Sequence, residues 1–105
     1  MTVSAREVLL REVKESTFRD QVRAWAERLG WLTYFTWNSR HSPAGFPDLV
    51  MVRPPRLLLV ELKTQLAPPP HGRQLLWLDT LAEVPCVEVH VWRPMDEDLI
   101  LRVLA

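Results

Sequence analysis

The chain has 105 residues, which is enough for one modest hydrophobic core and too little for two, so we expect a single domain. Its composition, 48% hydrophobic and 25% charged, is that of an ordinary soluble globular protein and gives no indication of long disorder. The 13 lysines and arginines balance 13 aspartates and glutamates, which argues against a generic polybasic nucleic-acid binder.

The sequence offers no candidate for a membrane-spanning segment. Its uncharged stretches are shorter than the roughly 18–20 residues that cross a bilayer, and its first residues form no apolar signal segment. The single cysteine, Cys86, has no second thiol with which to form an internal disulfide or a metal site. We therefore expect an intracellular, cytoplasmic protein with no membrane contact.

The first third of the chain is predicted to be helical and then extended. Residues 1–14 are expected to form an N-terminal arm or short helix, because Ser4 to Glu7 fits a capping box. Apolar residues at helical spacing predict a helix over 15–29 that ends at Gly30. The segment 31–37 is rich in threonine and aromatic residues, which favours a strand.

The central part of the sequence predicts a β-hairpin, because two apolar runs at 49–52 and 57–60 flank Arg53-Pro54-Pro55-Arg56. A proline-rich linker over 65–72, a helix over 73–83, a strand over 87–92 and a helix over 96–104 follow. Short loops favour an antiparallel meander of the first three strands, and the crossover helix places the fourth strand parallel to the third. The predicted class is therefore α/β, a small mixed sheet flanked by helices in which 15–105 form one domain.

Two carboxylates and a lysine are predicted to meet at the open end of this hairpin. Asp48 precedes one strand and Glu61 ends the next, so antiparallel pairing brings both to one end of the sheet. Carboxylate oxygens suit a hard divalent cation such as Mg²⁺. Lys63 shares the face of Glu61, where an ammonium group can orient or deprotonate a water and stabilise charge on phosphate. The pattern indicates metal-assisted phosphodiester hydrolysis.

Simpler structural roles stay open for the same residues. Asp48 is also suited to a turn before a strand, and Glu61 with Lys63 could form an ordinary surface ion pair. One face of the third strand is expected to carry this chemistry, while Leu58, Val60 and Leu62 form the core on the other face.

Positive charge is concentrated around the predicted site. Residues 40–73 contain five basic and two acidic groups. The candidate phosphate contacts are Arg40, Arg53, Arg56, His71 and Arg73, although a solvated basic face explains any one of them. The five tryptophans mostly fall on apolar stripes, and Trp37 alone is a candidate for stacking on bases.

Several separated motifs resemble those of one nuclease family. The residues that carry the resemblance are Glu15-Ser16-Thr17-Phe18 with Gln21 and Val22, Gly30-Trp31, Ser39-Arg40, Gly45-Phe46-Pro47-Asp48-Leu49, Val60-Glu61-Leu62-Lys63, Gln74 with Trp77-Leu78, and Val91-Trp92-Arg93-Pro94. In order and spacing they are similar to a stand-alone VRR-NUC domain, the virus-type replication-repair branch of the PD-(D/E)xK nucleases. The chain departs from the family pattern in its proline-rich linker and its N-terminal arm.

This resemblance implies a restriction-endonuclease-like fold and a Mg²⁺- or Mn²⁺-dependent endonuclease that acts on DNA. It implies Asp48, Glu61 and the Leu62 carbonyl as metal ligands and Lys63 as the catalytic lysine. Glu15 matches the family's first-helix acid, linked to the metal through water, and Gln74 its second-helix glutamine. An acid in a first helical turn is also favoured by the helix dipole, and Gln74 could make a structural hydrogen bond instead.

The resemblance also implies a biological setting. Small members suggest a homodimer that cuts Holliday junctions or other branched DNA during replication, recombination or repair, encoded by a phage or prophage and acting in the bacterial cytoplasm. Two alternatives stay open at this point: a module that keeps the fold and binds DNA or a partner without cutting, and a subunit of a larger nuclease-helicase assembly.

Overall fold

Four strands and four α-helices follow one another in the order that the sequence predicts. The structure is a computed structural model, and it describes residues 3–36 and 44–105. The strands are β1 (Leu32–Phe35), β2 (Leu49–Arg53), β3 (Arg56–Leu62) and β4 (Val87–Trp92). The α-helices are α1 (Ala5–Arg11), α2 (Glu15–Arg28), α3 (Gly72–Ala82) and α4 (Glu97–Leu104), with a 3-10 turn over Pro94–Asp96 before α4.

The strands form one sheet in the spatial order β1-β2-β3-β4. β1 pairs antiparallel with β2, β2 pairs antiparallel with β3, and β3 pairs parallel with β4. A parallel pair needs a crossover connection, and α3 supplies it between β3 and β4. The predicted meander with a parallel fourth strand is confirmed.

One face of the sheet packs against α2 and α4 and forms the main hydrophobic core. Helical spacing places Phe18, Val22 and Ala26 on one side of α2, and all three are buried against the sheet. The complete core cluster comprises Phe18, Val22, Ala26, Trp31, Leu49, Met51, Leu58, Val60, Leu62, Trp92, Ile100 and Leu104. None of the helices within residues 3–36 and 44–105 is long and apolar enough to cross a membrane.

The opposite face of the sheet is covered in part by α3. Leu59 and Glu61 point to this face, and they are only 5% and 3% exposed. The sequence predicted a chemical face and a core face for β3, but the structure buries both faces of this strand. The reason is that α3, whose Leu78 is also buried, packs over the end of the sheet that carries Glu61.

Candidate active site

The open end of the β2–β3 hairpin brings Asp48 and Glu61 together. Leu49 pairs with Val60, so one step further along the register Asp48 lies opposite Glu61. The Asp48 side chain is fixed by the backbone, because its Oδ2 accepts a hydrogen bond of 2.8 Å from the Leu62 N–H. The open end of the hairpin therefore places two carboxylates side by side and orients one of them.

A neighbouring strand also holds the backbone at Asp48. The Thr36 N–H, just beyond β1, donates to the Asp48 carbonyl at 2.8 Å, and Thr36 Oγ1 donates to the Pro47 carbonyl at 2.7 Å. Because Asp48 is bound to residues of both adjacent strands, its position is set by the sheet rather than by a free loop.

Glu61 is an acid in an unusually unfavourable place for a charge. Burial first, and the adjacent Asp48 carboxylate second, raise the pKa of Glu61 to about 8, while the Lys63 ammonium opposes the shift. The Lys63 Nζ lies 3.8 Å from Glu61 Oε2. Without a cation at the site, Glu61 therefore carries a proton at neutral pH, in contact with the Asp48 carboxylate.

Lys63 connects the end of β3 to α3. Its Nζ donates a hydrogen bond of 2.9 Å to Oε1 of Gln74 in the first turn of that helix. The structure thus brings together four of the residues that the sequence singled out: Asp48, Glu61, Lys63 and Gln74.

Two contacts that the sequence reasoning missed fix the segment before Asp48 against α3. Gly45 has a φ of +92°, and a Cβ there would lie 2.6 Å from the Arg73 carbonyl carbon and 2.7 Å from its oxygen. The Phe46 and Trp77 rings meet edge to face at 5.1 Å and 78°. The available signal was the glycine and the aromatic residue directly before Pro47-Asp48.

Glu15 is not part of this cluster. It is the exposed first residue of α2, and it makes no hydrogen bond or ion pair with the site within the described part of the chain. The last turn of α2 lies beside Arg53 at the closed end of the hairpin, where Arg53 Nη1 donates to the Leu29 carbonyl. Glu15 therefore lies toward the open end of the sheet. Residues 3–36 and 44–105 contain no group of three or more histidine, cysteine, aspartate or glutamate side chains that could share a metal.

The structure brings some of the candidate phosphate contacts to this end of the molecule. His71 and Arg73 are exposed at the start of α3, next to Gln74, and His71 Nδ1 lies 3.2 Å from the Pro69 carbonyl oxygen. Arg40 and Trp37 lie outside the described residues.

Arg53 and Arg56 lie at the closed end of the hairpin, away from the carboxylates. Arg53 donates to the backbone oxygens of Leu104 and Ala105 at 2.9 and 3.0 Å, while Arg56 donates to Val103 at 2.8 Å and pairs with Glu88 at 2.7 Å. Their guanidinium groups lie 4.6 and 5.0 Å from the centre of the Trp31 ring. The cations sit at the C-terminal end of α4, where the helix dipole favours them. The structure therefore shows an internal packing role for these two arginines.

The residues at the open end fit a hard divalent cation. Asp48 and Glu61 offer carboxylate oxygens, which Mg²⁺ and Mn²⁺ prefer, and Leu62 lies between Glu61 and Lys63 at the strand end. Burial and the adjacent Asp48 carboxylate both raise the pKa of Glu61, and positive charge near the pair opposes that shift, as the Lys63 ammonium does. A cation would remove the repulsion between the two carboxylates.

The described chain is thus a small α/β domain with a mixed sheet in the order β1-β2-β3-β4, and it carries two acids and a lysine at the open end of the hairpin. The chain is similar to a solved structure described as a VRR_NUC domain, with a TM-score of 0.69, and the match covers 84% of this chain and 94% of that chain. The sequence identity is 21%, so the likeness shows the fold, and the predicted resemblance to this fold is confirmed. No protein-family model matches the sequence, and no curated protein matches it either.

Proposed function

We propose that this protein is a metal-dependent DNA endonuclease that hydrolyses phosphodiester bonds. The observation that carries the proposal is the placement of Asp48 and Glu61 opposite each other on adjacent strands, with the Lys63 ammonium 3.8 Å from Glu61. Two acids can hold a divalent cation and one lysine can assist the attacking water, so these groups suit a metal-assisted hydrolysis of phosphate esters. The shared fold with a VRR_NUC domain supports the same reaction class.

The proposed metal ligands are the carboxylates of Asp48 and Glu61 and the carbonyl of Leu62, with Glu15 contributing through water. A bound Mg²⁺ or Mn²⁺ supplies Lewis-acid chemistry and neutralises charge on the phosphate. Asp48 is oriented for this role by its hydrogen bond from the Leu62 N–H. A cation held by the two carboxylates would favour the ionised form of Glu61, because its positive charge would oppose the repulsion from Asp48 that contributes to the raised pKa.

Lys63 is proposed as the catalytic lysine. Its Nζ lies at the edge of the carboxylate pair, where it orients the attacking water and stabilises the negative charge that grows on the phosphate. Gln74 accepts a hydrogen bond from this ammonium and holds it in place. Arg73 and His71, exposed at the start of the same helix, are the proposed phosphate contacts within the described chain, together with Arg40.

The proposed biological substrate is branched DNA, such as a Holliday junction, processed by a homodimer in phage or prophage replication, recombination or repair. The resemblance of the motifs to small stand-alone VRR-NUC domains supports this finer assignment. Two symmetric cuts need two sites, and a two-fold homodimer supplies them.

Cleavage of labelled DNA tests the proposal directly. Four-way junction, flap, single-stranded and duplex DNA are incubated with the purified protein in Mg²⁺ or Mn²⁺, and Lys63→Ala is expected to lower the rate about 10²- to 10⁴-fold. Asp48→Asn should abolish Mn²⁺ binding in calorimetry, whereas Asp79→Asn, which changes an exposed acid on α3, should leave it intact.

The outcomes separate the alternatives. If no DNA is cut, the nuclease assignment is wrong, and if Lys63→Ala cuts as fast as the original chain, the assignment of Lys63 as the catalytic lysine is wrong. Binding of DNA without cleavage would instead support a module that keeps only the fold. Sedimentation of the purified chain measures whether it dimerises alone, as the proposal expects.

A further inference from the structure

The sheet face that carries Asp48 and Glu61 continues over β1 and β2 as an exposed apolar surface. Tyr34 pairs with Val50 and Leu32 with Val52, so the four side chains point to the same face as Asp48, which lies two residues before Val50. Leu32 is 77% exposed and Tyr34 is 64% exposed. We define these four residues, Leu32, Tyr34, Val50 and Val52, as the β1–β2 surface.

No helix in the described part of the chain covers the β1–β2 surface. α3 packs over β4 and reaches the end of β3 through the contact of Gln74 with Lys63, and α2 lies on the opposite face, where Arg19 and Arg23 stack on Phe35. Among residues 3–36 and 44–105, the β1–β2 surface is therefore continuous with the candidate site and exposed beside it. Tyr34 is the diagonal neighbour of Asp48 across the strands, a relation that sets residues about 7–8 Å apart.

The chemistry of the β1–β2 surface does not suit the backbone of a DNA duplex. Phosphates are bound mainly by lysine and arginine, and all four residues of this surface are uncharged. Nucleic-acid bases have apolar π-faces that stack on aromatic side chains without regard to sequence. Tyr34 is exposed, is flanked by aliphatic side chains and lies diagonally across the strands from Asp48. Its ring is therefore suited to stack on such a base.

We propose that unpaired bases next to the scissile phosphate stack on Tyr34, with Leu32, Val50 and Val52 as the surrounding apolar floor. The inference rests on the proposed nuclease function and specifies its substrate class as DNA with unpaired nucleotides at the cleavage point. Such nucleotides occur in flaps and gaps and are absent from an intact duplex.

Binding measurements on two matched DNA substrates, one fully base-paired and one with a gap, test this inference. Fluorescence anisotropy compares a labelled duplex with the same duplex interrupted by a short unpaired gap, in the Lys63→Ala background so that binding is separated from cleavage. Tyr34→Ala should weaken binding of the gapped DNA about 5- to 150-fold, which is the range for loss of one stacked base, and should lower the ratio of gapped to duplex affinity. Tyr34→Phe retains the ring and should restore that ratio.

A matched control variant and a second measurement on the unmodified chain distinguish the loss of base stacking from a general effect of misfolding. Leu99→Ala removes another exposed apolar side chain, on α4, and should keep the preference of the original chain for gapped DNA. Photo-crosslinking of the unmodified chain to DNA that carries 5-iododeoxyuridine in the gap should attach the label to Tyr34.

Several outcomes would overturn the inference. These are an unchanged gapped-to-duplex ratio in Tyr34→Ala, an equal loss of affinity for both substrates, and crosslinks confined to other residues. A dimer that Tyr34→Ala converts to monomers would show that a second copy of the chain covers this surface. Each of these results is compatible with DNA cleavage by the original chain, whereas failure of all cleavage would refute the proposed function itself.

Discussion

Replacing Glu61 with glutamine should stabilise the metal-free protein at neutral pH, although it removes a buried acid from the centre of the candidate site. Glu61 is 3% exposed, and burial beside Asp48 raises its pKa from 4.5 to about 8. The folded state thus favours the protonated acid. Glutamine has nearly the same shape, carries no charge at any pH and can donate a hydrogen bond to Asp48, as the protonated acid does.

The sign and size of the effect follow from proton linkage. Because the folded pKa is raised, the stabilising contribution of Glu61 is fully present below pH 4.5 and is lost as the pH rises through about 8. One pKa unit corresponds to about 1.4 kcal/mol, so the original chain should lose roughly 3 kcal/mol of unfolding free energy between pH 5 and pH 7. Glu61→Gln should not show this loss.

Urea unfolding in EDTA at pH 5, 6, 7 and 8 measures the difference between the two profiles. Glu88→Gln is the matched control, because Arg56 lowers the pKa of Glu88 and its contribution is lost only as the pH falls through the acid range. The unfolding free energy of the Glu88→Gln variant should therefore change with pH in the same way as that of the original chain between pH 5 and 8. Adding Mg²⁺ should reverse the loss in the original chain at pH 8 and have little effect on Glu61→Gln.

Parallel profiles for the original chain and Glu61→Gln would refute the reasoning. They would mean that Glu61 is ionised in the metal-free fold and that the Lys63 ammonium compensates its charge. The same experiment would then remove the physical basis for proton release on metal binding.

Three further predictions concern the contacts around the site. Gln74→Ala should slow DNA cleavage roughly 10- to 100-fold while leaving Mn²⁺ affinity unchanged in calorimetry, because the Lys63 ammonium loses its acceptor at 2.9 Å. Gly45→Ala should lower the unfolding free energy by roughly 2–5 kcal/mol in urea, because a methyl group meets the backbone of α3 at a positive φ. Arg53→Ala should cost about 1–3 kcal/mol of stability without changing the salt dependence of DNA binding in anisotropy titrations.

Each of these has a result that contradicts it. Gly72 also has a positive φ, +55°, but a Cβ added there would meet no atom within 4 Å, so Gly72→Ala should cost only about 1 kcal/mol. Equal losses at Gly45 and Gly72 would show that the contact with α3 is not tight. Weaker metal binding in Gln74→Ala, or a reduced salt slope in Arg53→Ala, would place those residues at the metal or on DNA.

The sequence is sufficient to predict the architecture because the signals that specify it are local. Apolar spacing from Phe18 to Leu29 and the alternation in 87–92 mark one helix and one strand, and the Arg53-Pro54-Pro55-Arg56 turn marks the hairpin. Pairing of the hairpin strands then places Asp48 opposite Glu61 without further information.

What could not be predicted depends on packing between distant segments. Arg53 and Arg56 have the sequence signature of phosphate contacts, yet the end of α4 approaches them and accepts their hydrogen bonds. The burial of Glu61 likewise depends on where α3 lies. No local sequence pattern predicts the position of α3, because contacts of Gly45 and Phe46 with this helix fix it. Both residues are more than 25 positions away in the sequence from the helical residues that they touch.

The tight approach of Gly45 to Arg73 has a consequence for how this fold can diversify. It joins the segment before β2 to the start of α3, so it holds Asp48 and Gln74 near each other by a contact that does not involve residues 68–70. Residues 68–70 of that connection therefore need not align the site, whereas the His71 carbonyl accepts a hydrogen bond from the Gln74 N–H. Because loop closure depends only weakly on length, this short proline-rich stretch can be exchanged or extended at small cost. It is the natural place to graft a new DNA-contacting element without disturbing the carboxylates.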